Sequence, residues 1–184
     1  MIRYSLLSLI VSSSLLFAGS LSGEQAGQKG SAVSASLLEK LSGELKGYMQ
    51  RSGPIGALNF CSQNALNLTD QVGKESNVTV KRVSLKNRNP INVANAEEEI
   101  ILRRWAELQH SGQPLPSYEI KQRNEEYMYY KPIVINSEAC LKCHGNIASE
   151  SPLFKEIKKM YPEDKAMGYV MGDLRGMIVV TLPK

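Results

Sequence analysis

Cysteine and histidine are scarce: three cysteines and two histidines stand among 184 residues. Three cysteines are too few for the disulfide scaffold that holds many small exported proteins together. No apolar run reaches the roughly 20 residues that span a bilayer. No repeat is visible, and no basic stripe either: the formal charge of +4 is mild and unclustered, which excludes nucleic acid and a membrane surface as partners. What is present is the composition of an ordinary globular domain, 42% hydrophobic and 22% charged, so a disordered chain is excluded as well.

The N-terminus has one Arg, an apolar run from Tyr4 to Phe17 and then small residues. That order predicts a secretory signal peptide over residues 1–22, cleaved between Ala18 and Ser22, and hence a periplasmic protein. The apolar run is short for a permanent anchor. A lipoprotein anchor is excluded, because no cysteine follows the run. Cleavage removes Arg3, and the balance falls from +4 to +3. About 160 residues remain, enough for one domain with a real core. The polar, Gly-rich stretch over 23–34 is expected to be a flexible linker, with a single domain over 35–184.

Two of the three cysteines and one histidine fall in "ACLKCHG", as Cys140, Cys143 and His144. In an exported chain, C-x-x-C-H is the signature of c-type haem attachment. Thiols one short turn apart can each form a thioether with a haem vinyl group, and the next residue then offers an imidazole to the iron. The expected cofactor is one haem c, attached through Cys140 and Cys143 with His144 as axial ligand. A redox disulfide between the two cysteines would want a thioredoxin-like βαβ setting and gains nothing from His144. Zinc would draw on Cys61, Cys140, Cys143 and His144. Cys143 and His144 are adjacent, however, so their side chains diverge.

The sixth iron position decides what such a haem does. His110 closes an expected helix before Gly112, where a histidine caps the helix end in solvent. Met167 and Met171 follow the haem motif, and methionines there either ligate or fill the core. Cys61 stands with Ile55, Leu58, Ala65, Leu68 and Val72 at intervals of three and four, on one face of a helix opened by Gly53-Pro54. It therefore faces the core, where a cysteine is either a small buried apolar residue or, beside iron, a thiolate ligand.

The remaining segments predict a mixed chain. Helices are expected over "SASLLEKLSGELKGYMQ", around Cys61, after a capping box of Asn95 and Glu98, and over "SPLFKEIKKMYP". "NVTVKRVSL" and "EYMYYKPIVI" are strand-like, and two further strand runs flank an expected hairpin turn at Gly172–Gly176. The pattern fits an α+β fold, an antiparallel sheet with N-terminal helices and with helices packed on one side. Arg88 and Arg175 are candidates to pair the two haem propionates, since arginine takes carboxylates bidentately. Tyr127, Tyr129 and Tyr130 read as packing on a sheet face.

Four ordered stretches, "SGPIGALNFCSQNA", "VKRVSLKNRNPINVANAEEE", "YMYYKPIVINSEACLKCHGN" and "YPEDKAMGYVMGDLRGMIVVTL", resemble the single-haem c-type sensor family with a PAS-like fold. The resemblance runs from about Leu37 to Leu182. It implies haem held by Cys140 and Cys143, with His144 and Cys61 as the two axial ligands. Members of that family occur as isolated exported domains and as the sensing part of membrane-bound histidine kinases. A redox or diatomic-gas sensor is therefore expected, with CO or NO as a ligand and a redox or signalling protein as a partner. The alternative is a periplasmic electron carrier with a Met or an open sixth site. No enzyme is expected, because His110 is a poor distal catalytic residue.

Overall fold

The computed structural model describes residues 21–184, so all but the last two residues of the expected signal peptide lie outside the described residues. A long helical rod opens the domain. Helix α1 spans Gly23–Ser76 and is started by a capping box: the Gln25 backbone N–H donates to the Ser22 hydroxyl at 3.2 Å, and the Gln25 side chain accepts from the Ser22 N–H at 2.9 Å. Gly53 leaves the helical region at φ 64°, ψ −169°, and divides the rod in two. Pro54 excludes helical backbone in the residue before it, and glycine alone adopts this alternative cheaply. The Cys61 helix thus starts at Gly53-Pro54, as its sequence predicts.

The stretch over 23–34, expected to be a flexible linker, is the first part of α1, and its Ala26, Gly27, Gly30, Val33 and Ser34 are buried. The reason is close approach. A Cβ on Gly30 would stand 2.4 Å from Cγ of Tyr129, so only glycine lets the helix lie against that ring. Tyr118 stacks on Tyr129 at 5.0 Å. Several glycines weaken helix propensity by about 1 kcal/mol each, and burial against aromatic rings offsets that cost.

Four strands follow: β1 (Thr79–Val83), β2 (Glu119–Arg123), β3 (Glu126–Val134) and β4 (Leu174–Pro183). They form one antiparallel sheet in the order β1-β4-β3-β2. Helix α2 (Ala96–His110) begins at Asn95 with the expected capping box to Glu98. Alternation along the strands sorts the core into two. Val80, Tyr129, Ile178, Val180 and Leu182 pack against Val33, Leu37 and Val72 of α1. Val83, Tyr130, Met177 and Val179 pack against Ile101, Leu102 and Trp105 of α2. The α+β class and the PAS-like antiparallel sheet agree with the sequence reading, but helices cover both faces of the sheet and not one. Tyr129 and Tyr130, neighbours on β3, serve opposite cores as packing residues.

The hairpin expected at Gly172–Gly176 is absent, because β4 is a single strand starting at Leu174. The run before it is engaged elsewhere. The N–H groups of Gly168 and Tyr169 donate to the carbonyls of Gly145 and His144, and the Val170 N–H donates to the Asp173 carboxylate. The hairpin of the sheet joins β2 to β3 instead, through Asn124 at φ 51°. Two short helices complete the chain, α3 (Glu138–His144) and α4 (Pro152–Met160), and both pack against α1. No helix among the described residues is long and apolar enough to cross a membrane.

Candidate cofactor site

Helix α3 is the C-x-x-C-H segment itself. Cys140 and Cys143, three apart, share one helix face, and His144 closes the last turn. All three cysteines of the chain are free and partly buried. Cys140 lies against Ile135, Ala166 and Tyr169.

A helix of two turns holds its position only if its open carbonyls are met. Here the chain supplies a donor for each of the last two, and for the capping residue Gly145 after them. Arg88 Nη2 donates to the Cys143 carbonyl at 2.6 Å, the Tyr169 N–H to that of His144 at 2.9 Å, and the Gly168 N–H to that of Gly145 at 3.1 Å. The imidazole is fixed as well: His144 Nδ1 donates to the Ala166 carbonyl at 2.8 Å. That bond sets the tautomer and leaves Nε2 as the free, lone-pair nitrogen. Burial, then the positive fields of Arg175 and Arg88, push the His144 pKa down to about 3, so the ring is neutral.

The loop that carries Ala166 is itself anchored. Arg88 Nε and Nη2 meet the Asp164 carboxylate at 3.1 and 3.2 Å, and Asp164 accepts the Ala166 N–H at 2.9 Å. The Asp164 side chain is fully buried and that of Arg88 is 11% exposed. Asp164, Arg88 and Ala166 therefore form a continuous support behind His144. The Tyr169 ring stands nearly perpendicular to the imidazole, with centroids 6.2 Å apart.

Cys61 comes from α1. Its thiol pKa is raised by burial and by the nearby Cys143, and pulled back by Arg82 and Arg88. The helix face read from the sequence is largely confirmed, with Leu58, Ala65 and Val72 buried and Ile55 at the surface. Among the described residues no three His, Cys, Asp or Glu side chains converge as a metal cage, so the zinc alternative has no assembled ligand set. His110 is exposed at the end of α2, Met171 is exposed, and Met167 is half-buried.

Arg88 and Arg175 both lie at this site, with different partners. Arg88 is occupied by Asp164 and backbone carbonyls, whereas Arg175 bonds Ser84 and the Lys86 carbonyl and keeps a buried, unpartnered Nε. Sequence reading missed Arg82, Asp164 and Tyr169. Only Arg82 carried a signal: strand alternation places it on the same inward face as Val80.

Comparison with known proteins places the chain in a family. The sequence model of the Tll0287-like family matches residues 22–183. The chain belongs to the Tll0287-like family. The resemblance read from the sequence is borne out, and the match reaches back to the start of α1, beyond the Leu37 from which it was traced. A solved structure, described as that of the cyanobacterial haem protein Tll0287, is 24% identical over 89% of this Tll0287-like chain and 97% of its own, with a TM-score of 0.64. That likeness establishes the fold. No match is found among the curated proteins.

Proposed function

We propose that this chain is an exported c-type cytochrome with one haem, acting as a redox or diatomic-gas sensor, and that it is not an enzyme. One observation carries the reading: two free thiols share a face of α3 beside an imidazole whose Nδ1 is committed to Ala166, leaving Nε2 to bind metal. This donor set fits a covalently attached haem. Cys140 and Cys143 would hold the macrocycle by two thioethers, and His144 would ligate its iron, as the haem protein Tll0287 of the same fold encourages. When bound, haem supplies one-electron chemistry and an axial place for a diatomic ligand.

The rest is the work of this chain's own residues. Ala166 orients the imidazole, and its carbonyl makes the ring a stronger donor. Arg88 and Asp164 hold the Ala166 loop against α3. Cys61, brought from α1 to the neighbourhood of Cys143, would be a second ligand to the iron. Its burial disfavours a free thiolate, so a metal is what would draw off its proton. A weakly held sulfur is what a sensor needs. Cys61 would be held less firmly by a reduced iron, and the group would then offer a place to CO or NO.

Intact mass tests the attachment. The periplasmic protein is expected to carry the mass of one haem, retained through denaturation and acidified organic solvent. The Cys140→Ala, Cys143→Ala double variant is expected to carry none. A parent protein of bare polypeptide mass, or one that releases haem into the solvent, overturns the proposal.

A further inference from the structure

Three arginines crowd the site, and only one of them has a carboxylate. Arg88 gives its Nε and Nη2 edge to Asp164. Arg175 meets no carboxylate: Nη1 donates to the Ser84 hydroxyl at 3.0 Å and to the Lys86 carbonyl at 3.1 Å, while Nε is buried with no partner among the described residues. Arg82 donates from Nη2 to the Ala65 carbonyl at 3.2 Å, and its Nε is likewise buried and unpartnered. Each therefore presents a desolvated N–H without an acceptor. A guanidinium held this way is costly unless an anion meets it.

Their placement is specific. Arg82 lies on β1 opposite Ile178, and Arg175 stands three residues earlier on the adjoining β4. Ala65, the residue that Arg82 reaches, is one helical turn after Cys61. The Arg175 guanidinium lies 5.5 Å from the centre of the Tyr169 ring, which stands 6.2 Å from the His144 ring and nearly perpendicular to it. One cation thus stands on the Cys61 side and one on the His144 side.

We propose that Arg82 and Arg175 are the receptor for the two carboxylates of the haem, one guanidinium to each, while Arg88 is a positioning residue for the histidine loop. The proposal rests on the haem reading above and adds its anion-binding half. A haem carries two carboxylates, and the site holds two cations that lack an anion. The Nε side of Arg175 can take a carboxylate, as that of Arg88 takes Asp164. Arg82 contributes its Nε.

The test uses the exported holoprotein and its Arg82→Gln and Arg175→Gln variants, read by mass, by resonance Raman in the propionate-bending region and by reduction potential. Each variant is expected to keep its haem, to shift a propionate-bending band, and to lower the potential, because loss of a nearby positive charge favours ferric iron. An approximately tenfold change in the ferric to ferrous ratio is expected, about 59 mV for one electron. Bands and potentials equal to the parent's in both variants overturn the proposal while leaving the haem reading intact. A parent without haem overturns both. If the arginines hold an inorganic anion instead, added phosphate at fixed ionic strength moves the parent's potential and the substitutions leave the bands in place, which also overturns it. Should a Gln variant fail to accumulate, Arg82→Lys or Arg175→Lys decides: the charge stays and the fork is lost, so the band shifts and the potential holds. A band that does not move overturns the proposal.

Discussion

Replacing Arg88 with alanine is expected to destabilise the fold by about 3–5 kcal/mol, the cost of leaving a buried carboxylate without its cation. The Asp164 side chain is fully buried and has Arg88 as its cation, so water cannot take over. The same change removes the donors to the Cys143 and Ala166 carbonyls. The C-terminal end of α3 and the acceptor of the His144 N–H loosen together. Urea unfolding measures the loss. The Arg88→Ala, Asp164→Ala double variant is expected to be less destabilised than the sum of the two single variants, because no orphan charge remains. A loss below about 1 kcal/mol in the single variant, typical of an exposed pair, would show that the support behind His144 is ornamental.

Replacing Cys61 with serine is expected to keep the covalent haem and to change its electronic character. The hydroxyl retains size and helix but cannot give a thiolate. Thiolate donation stabilises ferric iron, so its removal is expected to raise the reduction potential by at least about 59 mV, a tenfold change in the one-electron equilibrium. The thiolate features of the ferric absorption and electron paramagnetic resonance spectra are expected to vanish. A variant matching the parent in spectrum and potential would make Cys61 a core residue and favour an electron carrier. Half-buried Met167 would then be the sixth ligand to examine.

What was legible in the sequence was local. The spacing of Cys140, Cys143 and His144, the break at Gly53-Pro54 and the Asn95 capping box each depend on residues within a few positions of one another, and each stands in the structure as read. Order that comes from distant partners was not legible. The stretch over 23–34 has a linker's composition and becomes helix only because Tyr118 and Tyr129, far along the chain, lie against its glycines. The run before β4 has strand-like residues, yet its backbone is spent on α3. Arg88 was read as a partner for a haem propionate, whereas the carboxylate it meets is that of Asp164, 76 positions away. Nothing in the sequence separates that partner from a haem propionate. Arg82 was the one missed residue with a readable signal, a charge on the inward face of a strand.

Sensor and electron carrier differ in whether the proposed bond from Cys61 to iron opens on reduction. The most direct measurement is the absorption spectrum of the purified holoprotein in both oxidation states, followed by carbon monoxide added to the reduced form. A six-coordinate ferric haem with thiolate character is expected, and a reduced form in which that character is lost and carbon monoxide binds readily. A reduced haem that stays six-coordinate and is indifferent to carbon monoxide would contradict it, and would make the protein an electron carrier.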